Sequence, residues 1–395
     1  MDNKDIFIVG AARTPLGSFG SSLASFSGVK LGAISIKAAL ERSGLTPDQV
    51  DEVYMGNVMS ANLGQAPARQ ASLGAGIPDN VPCTTVNKVC SSGMKAVMIG
   101  TQTIKTGDNQ IVVSGGMESM SNVPYYLDRA RFGMKMGHGQ VIDGMIKDGL
   151  WDVYNDYHMG NAGELCAREL KISREEQDEY AIASYKRAAE ATGKGWYKDE
   201  IVPVSVPQRK GDPLVVDKDE EFTRVKFEKI TSLRPVFDRE GTITAANAST
   251  INDGASATVL ASADAVKKNN LKPLARIITY ADAAQAPEWF TTAPVLAIEK
   301  ALQKAGLTLK DIDFFEINEA FAVVVLAAMK KLSLSHEKVN VHGGAVALGH
   351  PLGMSGNRII VTLMHVLKHH NGRYGIAALC NGGGGASAVV IENLM

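Results

Sequence analysis

An internal duplication constrains the fold of this chain more than any other feature. Residues 40–46 (Leu-Glu-Arg-Ser-Gly-Leu-Thr) lead into the apolar segment 50–55, and residues 302–308 (Leu-Gln-Lys-Ala-Gly-Leu-Thr) lead into the apolar segment 312–317. Each copy has the pattern of a helix that ends at a glycine, a short turn with threonine, and a buried strand. The repeat predicts two related α/β halves with a pseudo-twofold axis between them.

A second pair of segments repeats the same order. The helix predicted after Cys90 runs to Gly107 and a strand at 111–113, and the helix predicted at 354–368 runs to Gly372 and a strand at 376–379. Strands that alternate with amphipathic helices favour sheets covered by helices on their faces. The fold class is therefore predicted to be α/β.

Residues 121–244 match nothing in the other half, and we interpret them as an inserted lid. Ser173 and Glu176 have the spacing of a capping box, which predicts a folded helix at that point. The predicted division is an N-terminal domain, 1–270, whose core is 1–120 and 245–270, and a C-terminal domain, 271–395.

Composition excludes several classes of partner. The 395 residues include 41 basic and 42 acidic side chains, so no net field favours nucleic acid or anionic membranes. The four cysteines, Cys83, Cys90, Cys166 and Cys380, form no CxxC pair, which favours a reducing compartment. With no secretory signal or membrane-spanning apolar stretch in the sequence, we expect a cytoplasmic protein. The alternative is the mitochondrial matrix after loss of a transit peptide.

Three segments carry candidate chemistry. Cys90 precedes a predicted helix, whose N-terminal dipole should lower the pKa of the thiol and favour a nucleophilic thiolate. His350 stands among glycines ahead of another helix, as expected of an imidazole held against a ligand. Cys380 follows a buried strand and opens the glycine-rich loop 382–385, whose N–H groups can form an oxyanion hole.

Asn318 follows a further predicted strand. Its amide can position a water or a carbonyl oxygen, or it can N-cap the next helix. Because open α/β sheets form their sites at the carboxyl ends of strands, we expect these segments to converge.

Five segments of the sequence resemble the signature blocks of the thiolase family, in the order usual for that family. The resemblance runs from Ile8 to Ile391, and the chain is most similar to the acetoacetyl-CoA thiolase branch of mitochondrial type. The blocks are 86–95 (Val-Asn-Lys-Val-Cys-Ser-Ser-Gly-Met-Lys), 115–120 (Gly-Gly-Met-Glu-Ser-Met), 318–321 (Asn-Glu-Ala-Phe), 349–351 (Gly-His-Pro) and 380–384 (Cys-Asn-Gly-Gly-Gly).

The resemblance implies a duplicated thiolase fold, in which two βαβαβαββ halves form a layered αβαβα core with an inserted α+β loop domain. It also implies a reversible Claisen condensation of two acetyl-CoA to acetoacetyl-CoA and CoA, or thiolysis in reverse. The alternative within the family is a broader-range 3-ketoacyl-CoA thiolase of fatty-acid or isoleucine degradation.

The family mechanism implies a role for each marked residue. Cys90 would accept the acyl group, His350 would activate it, and Cys380 would move the proton at the substrate α-carbon. Asn318, through a bound water, and His350 would form one oxyanion hole, while the N–H groups of Cys90 and Gly382 would form the second. Each such donor is typically worth about 3 kcal/mol of barrier.

Ligand contacts are implied by the same resemblance. Lys226 departs from the acidic residue common in relatives, and without the resemblance the charges at 224–229 would be taken for a solvated surface. No covalently bound cofactor is expected, and the substrates implied are acetyl-CoA, acetoacetyl-CoA and CoA, handled by a homotetramer. Coenzyme A would contact Arg224, Val225, Lys226, Lys229 and Ser249, with His158, Met159 and Phe321 near the acyl chain; a potassium ion would bind Tyr185, Ala245, Ala246, Ala248 and Val346.

Three alternative functions remain open from the sequence. A decarboxylating ketoacyl synthase shares the duplicated fold but typically uses two histidines, whereas this chain has Cys380 in its glycine-rich loop. A non-catalytic CoA- or lipid-binding relative would not need the complete set of Cys90, His350 and Cys380. A zinc site on the two cysteines, His342 and His350 would have suitable ligand types without paired spacing.

Overall fold

The computed structural model describes residues 5–395, and its strands and helices alternate as the repeat predicts. The helices are α1 (Gly28–Ser43), α2 (Pro67–Gly74), α3 (Ser92–Thr106), α4 (Met159–Leu170), α5 (Arg174–Gly193), α6 (Ala263–Lys268), α7 (Ala293–Ala305), α8 (Ala322–Leu332), α9 (Ala345–Leu348) and α10 (Leu352–His369). The strands are β1 (Ile6–Arg13), β2 (Gly17–Ser18), β3 (Glu52–Gly56), β4 (Cys83–Val86), β5 (Ile111–Ser119), β6 (Tyr125–Tyr126), β7 (Ile142–Asp143), β8 (Trp151–Asp152), β9 (Tyr157–His158), β10 (Val204–Val206), β11 (Leu214–Val216), β12 (Asn252–Ser262), β13 (Ala275–Ala284), β14 (Phe314–Ile317), β15 (Tyr374–Asn381) and β16 (Gly385–Asn393).

One ten-stranded mixed sheet runs through both halves. Its order is β14-β15-β16-β13-β1-β12-β5-β3-β4, with β2 paired to β12. The halves join where β1 pairs antiparallel with β13. Within each half, the strands that precede the candidate site residues pair in parallel, β3 with β4 and β5, and β14 with β15.

The helices form three layers around the two halves of the sheet. Helices α1 and α2 cover the outer face of the N-terminal half, and α7 and α8 cover that of the C-terminal half. Helices α3 and α10 pack against each other between the halves, in an apolar cluster with residues from both. This is the predicted αβαβα arrangement.

The repeated turn has the same geometry in both halves. Gly44 ends α1 with a φ of 75°, and Gly306 ends α7 with a φ of 67°, a left-handed conformation that glycine adopts without steric cost. After each glycine, a threonine and a residue three positions later form a capping box, Thr46 with Gln49 and Thr308 with Asp311. The duplication therefore preserves hydrogen bonds as well as apolar spacing.

The two halves differ at one strand. In the N-terminal half the order β1-α1-β3-α2-β4-α3-β5-β12 matches βαβαβαββ, with the insertion between the last two strands. The corresponding third strand of the C-terminal half is reduced to a single bridge between Phe315 and Val339. The sheet of that half therefore lacks the full third strand that the resemblance implied.

The segment between β5 and β12 is folded and attached to the core by buried charges. Ser173 caps α5 through the predicted capping box with Glu176. The guanidinium of Arg13 on β1 pairs with Asp219 at 2.7 Å and Glu200 at 3.1 Å, and all three side chains are almost fully buried. Since a buried charge without a partner is costly, this network holds the segment against β1. The domain boundaries at 121, 244 and 270 stay predictions.

Glycines allow α3 and α10 to approach closely. A Cβ at Gly56 or at Gly93 would lie 2.8 Å from the carbonyl oxygen of Gly353, and a Cβ at Gly116 would collide with that oxygen. The first turn of α10 therefore lies directly against the ends of β3 and β5 and the start of α3. This contact brings the segment after His350 beside the helix that follows Cys90.

Among residues 5–395, no helix combines the length and the apolar character needed to cross a membrane.

We predict that Gly116→Ala lowers the free energy of unfolding by about 3 kcal/mol, because the new methyl group meets backbone that cannot move aside. Gly193→Ala is the matched control, since a Cβ at that position of α5 meets nothing within 4 Å. The control should raise the stability by up to about 1 kcal/mol. Urea unfolding curves measure both, and equal midpoints for the two variants would contradict the proposed close contact.

Candidate active site

A strained loop presents Cys90 ahead of α3. Val89 has a φ of 48°, which is rare for a β-branched residue. Its N–H donates to Asn87 Oδ1 at 3.0 Å, and its carbonyl accepts from Ser92 Oγ at 2.6 Å. Ser92 Oγ also accepts from the Lys88 N–H at 2.8 Å. These hydrogen bonds hold the loop in a conformation it would not adopt alone, a feature that concentrates at functional sites.

The thiol of Cys90 does not have the lowered pKa that the helix N-terminus predicted. Burial, with a smaller contribution from the negative charge of Glu118, raises the pKa of Cys90 to about 11. The nearby backbone N–H groups of Gly382 and of Cys90 itself lower the pKa by less than burial raises it. The loss of water outweighs the effect of these N–H groups, so the thiol is neutral before a base acts on it.

Cys380 lies beside Cys90. It is the penultimate residue of β15, fully buried and directly opposite Ala386 of β16. Burial raises its pKa well above the ordinary value, and the neighbouring Cys90 charge raises it further. Ser91 Oγ donates to Asn381 Oδ1 at 3.0 Å, so the residues next to Cys90 and Cys380 are in contact, and these two thiols, 290 positions apart, share one site.

His350 is held as a neutral imidazole. Its Nδ1 lies 2.6 Å from Ser355 Oγ, and that hydroxyl donates to the Pro351 carbonyl at 2.8 Å. The Ser355 oxygen is thus left to accept from Nδ1–H, and Nε2 keeps its lone pair, 3.3 Å from Asn318 Nδ2. Burial lowers the pKa of His350 to about 3, with a smaller contribution from Arg358. The ring can therefore act as a base at neutral pH.

Asn318 joins His350 to the edge of the sheet. It follows β14, and its N–H donates to the Ala378 carbonyl of β15 at 2.9 Å. Helix α8 begins after Phe321, which is its N-cap residue, so the alternative that Asn318 caps this helix is wrong. The Asn318 side chain therefore lies at the carboxyl ends of β14 and β15. Its backbone partner Ala378 is two residues before Cys380.

Sequence reasoning missed the role of Glu118. Its fully buried carboxylate accepts from Asn57 Nδ2 at 2.7 Å and from the backbone N–H groups of Val58, Met59 and Gly353 at 3.0, 3.2 and 2.9 Å. Burial raises its pKa to about 7, although these N–H groups lower it. Glu118 thereby connects the ends of β3 and β5 to the first turn of α10. The only sequence signal for this role was an acidic residue within the segment Gly-Gly-Met-Glu-Ser-Met.

The residues implied for coenzyme A and potassium lie partly in one cavity. Within it, Tyr185 is buried while the basic side chains reach solvent. The cavity has a volume of about 250 Å³, and its lining includes Arg224, Val225, Lys226, Lys229, Tyr185, Ala245 and Ala246.

A separate apolar cluster contains the residues implied for the acyl side. Met159, Phe321 and Ala248 pack in the same cluster as Cys380. His158 stacks on Phe237 with ring centroids 4.6 Å apart. Ser249 Oγ donates to the Ala320 carbonyl at 2.9 Å. This cluster therefore lies against the second thiol, as an acyl site requires.

The residues implied for potassium would offer oxygen ligands to a cation. Burial raises the pKa of Tyr185, and the charges of Glu221 and Glu319 raise it further, so its oxygen is a neutral ligand close to negative charge. Val346 packs in the same apolar cluster as Tyr185, and its N–H donates to Glu319 at 3.0 Å. Hard oxygen ligands of this kind suit alkali or alkaline-earth cations rather than zinc.

The zinc hypothesis lacks a ligand set. In the described chain, residues 5–395, no group of three or more His, Cys, Asp or Glu could hold a metal ion. His342 Nε2 lies 3.2 Å from His370 Nε2, and its ring stacks on Trp196. It therefore belongs to a different cluster from Cys90 and Cys380.

Comparison with known proteins agrees with this geometry. The family described as "Thiolase, N-terminal domain" matches residues 6–264, and "Thiolase, C-terminal domain" matches 271–393. An acetyl-CoA acetyltransferase of Schizosaccharomyces pombe is 57% identical over 100% of both chains. A mitochondrial acetyl-CoA acetyltransferase of Rattus norvegicus is 54% identical over 99% of this chain and 92% of its own.

Solved structures give the same result. A thiolase of Ascaris suum in complex with coenzyme A superposes with a TM-score of 0.94 at 47% identity, covering 99% of this chain and 100% of its own. An acetyl-CoA acetyltransferase of Bacillus anthracis gives a TM-score of 0.96 at 41% identity, covering 99% of each. The chain belongs to the thiolase family. It is an enzyme, an acyltransferase with thiolase activity.

We predict that Ser355→Ala lowers kcat for acyl transfer at least about tenfold, because general acid–base catalysis by His350 then lacks the partner that orients the ring. Ser72→Ala serves as the control, since the buried Ser72 hydroxyl of α2 has no hydrogen-bond partner. Steady-state kinetics beside thermal melting measure both variants. Unchanged kcat in Ser355→Ala would show that Ser355 does not orient His350.

Proposed function

We propose that the enzyme is an acetyl-CoA C-acetyltransferase, which condenses two acetyl-CoA to acetoacetyl-CoA and CoA or carries out thiolysis in reverse. The observation that supports this most is the meeting of Cys90 and Cys380, whose neighbours Ser91 and Asn381 are hydrogen-bonded at 3.0 Å, at the sheet edge where the neutral His350 contacts Asn318. A Claisen condensation needs a nucleophile that carries the acyl group and a second group that takes a proton from carbon. Two thiols at one site provide both.

The first half of the proposed reaction acetylates Cys90. His350 Nε2 takes the thiol proton, the sulfur attacks the acetyl carbonyl, and CoA leaves with that proton. The N–H groups of Cys90 and Gly382, both close enough to the Cys90 sulfur to lower its pKa, would stabilise the carbonyl oxygen as negative charge develops. The thiol needs this base because its own pKa is about 11.

The second half forms the carbon–carbon bond. Cys380 passes its thiol proton to His350 Nε2 and, as thiolate, removes the α-proton of a second acetyl-CoA, whose thioester oxygen is polarised by the new Nε2–H and by Asn318. The carbanion attacks the acetyl group on Cys90, and the departing Cys90 sulfur takes the proton held by His350, while Cys380 keeps the α-proton. Atoms and charge balance, and both thiols return to their starting forms.

His350 acts both as a base and as a donor. As a base it needs a bare Nε2, with Nδ1–H donating to Ser355; once Nε2 has taken a proton, it donates to the thioester oxygen. The Ser355 hydroxyl accepts from Nδ1–H in both states while it donates to the Pro351 carbonyl. The same hydrogen bond thereby orients the imidazole for both roles.

Coenzyme A is proposed to bind along the basic cavity. Arg224, Lys226 and Lys229 can pair with its phosphates, with Val225 and Ser249 lining the path to the acyl site. The coenzyme A complex of the Ascaris suum thiolase supports this class of ligand. Potassium is proposed to bind Tyr185 and the backbone oxygens of Ala245, Ala246, Ala248 and Val346. It would then fix the loop 245–248 beside the basic cavity.

A homotetramer is proposed from the family resemblance, and an exposed apolar segment supports association with another chain. Between β6 and β7, the side chains of Phe132 and Met136 are 83% and 101% exposed, and Met134 is also largely exposed. Apolar side chains grouped in this way favour burial against another chain. We propose a cytoplasmic enzyme, with the mitochondrial matrix as the alternative; relatives include a cytosolic form in Gibberella zeae and a mitochondrial form in Rattus norvegicus.

Thiolysis of acetoacetyl-CoA by CoA, followed as loss of the enolate absorbance, tests this function. We predict that Cys90→Ser abolishes acyl transfer while the fold stays intact, because an alcohol gives no accessible anion at neutral pH. Cys83→Ser on the edge strand β4 is the control and should keep its activity. An inactive wild-type protein would eliminate the assignment, and normal turnover in Cys90→Ser would refute the role of the nucleophile.

The substrate range and the cation are tested together. We expect turnover of acetoacetyl-CoA to exceed that of longer 3-ketoacyl-CoA, and potassium to raise the melting temperature relative to sodium. Tyr185→Phe should remove the effect of potassium on melting, because it deletes the only side-chain ligand proposed. Faster thiolysis of long-chain substrates would favour the broader-range alternative, and a potassium effect that survives in Tyr185→Phe would exclude that cation site.

A further inference from the structure

Lys88 crosses from the nucleophile loop to the other half of the molecule. Its Nζ lies 2.6 Å from Asp282 Oδ1 on β13, 2.7 Å from Ser387 Oγ and 3.2 Å from the Ala386 carbonyl, both on β16. All three hydrogen-bonding directions of the ammonium group are thus satisfied by the C-terminal half. Lys88 is only two residues before Cys90.

The point of attachment on β16 is directly opposite the second thiol. In the antiparallel register of β15 and β16, Ala386 pairs with Cys380 and Ser387 pairs with Leu379. The ammonium group therefore binds the backbone of the residue that faces Cys380. Lys88 thus fixes the loop that carries Cys90 to the strand pair that carries Cys380, and it does so together with Ser91, whose Oγ donates to Asn381 Oδ1 at 3.0 Å.

Charge makes this attachment strong. Asp282 receives Lys88 on one oxygen and Lys95 on the other, at 2.6 and 2.7 Å, and Ser387 Oγ also donates to it at 2.7 Å. Burial raises the pKa of Asp282, but the hydrogen bonds from the two lysines outweigh it and lower the pKa to about 2. The carboxylate therefore stays charged throughout the neutral range, and the lysines stay paired with it.

We propose that Lys88 is a positioning residue that sets the separation of the Cys90 and Cys380 sulfur atoms. The inference rests on the proposed function, because only a reaction that passes between the two thiols depends on their separation.

Lys95 provides a matched control within the same ion cluster. It pairs with the same carboxylate, its side chain is 28% exposed against 25% for Lys88, and it makes no hydrogen bond to β16. A purely stabilising role for the cluster predicts the same result for Lys88→Met and Lys95→Met. A positioning role predicts a larger loss of activity in Lys88→Met than in Lys95→Met, because only Lys88 bonds the Ala386 carbonyl.

The first experiment separates the two half-reactions. Exchange of label between acetyl-CoA and CoA needs the acylation of Cys90, whereas thiolysis of acetoacetyl-CoA also needs Cys380. We expect Lys88→Met to lower thiolysis about 100-fold, as a displacement near 1 Å can, and exchange by less than about tenfold. Lys95→Met should change each rate by no more than about threefold. Equal losses in both variants, or equal losses of both activities in Lys88→Met, would overturn the proposal.

The second experiment does not depend on turnover. Phenylarsine oxide forms two As–S bonds and releases water when two thiols lie close together, and peptide mass spectrometry identifies the bridged pair. We expect bridging of Cys90 and Cys380 in the wild type and in Lys95→Met, and much slower bridging in Lys88→Met at matched melting temperature. Bridging at the wild-type rate in Lys88→Met would refute the positioning role. Bridging in a wild type that does not turn over acetoacetyl-CoA would refute the proposed function alone.

Discussion

The contact between the carbonyl of Gly353 and the glycines of β3, α3 and β5 determines the geometry of the rest of the site. It lets the first turn of α10 lie against backbone, with no side chain between them. Glu118 strengthens the contact by accepting from the Gly353 N–H while it also accepts from the loop after β3. Because His350 is three residues before Gly353, this packing fixes the position of the imidazole relative to Cys90.

Burial sets the protonation states of the reacting groups. Both thiols have raised pKa values and His350 has a lowered one, and loss of water is the largest cause in each case. The site therefore holds neutral acids and a neutral base, and charge develops only when an acyl group is present to share it. Such a site protects the nucleophile from premature oxidation or alkylation, since the thiolate is the reactive form.

The inserted segment connects substrate binding to this core. Its basic residues line the cavity next to Tyr185, and its helix α4 and residue Met159 pack in the cluster that contains Cys380. The buried network of Arg13 with Asp219 and Glu200 fixes the segment to β1, and Thr362 of α10 donates to Glu200 at 3.0 Å. The segment that lines this cavity and the helix that orients His350 thus share one buried carboxylate.

The sequence by itself determined the duplication, the α/β class and the identity of the chemical groups. These features depend on local patterns: the glycine at the end of α1 and α7, the capping box at Ser173, and glycine-rich turns after buried strands. They persist in the folded chain because each is formed by residues close in sequence.

Only the tertiary structure decided the electrostatics and the partners of those groups. The lowered pKa expected for Cys90 was wrong because burial, which depends on both halves, outweighs the effect of the neighbouring backbone N–H groups. Asn318 could equally have capped a helix until the start of α8 and its contact with His350 were known. The role of Glu118 and the bond from Lys88 to the strand opposite Cys380 join residues far apart in the chain. No pattern of neighbouring residues encodes such contacts, because they exist only after the two halves have packed.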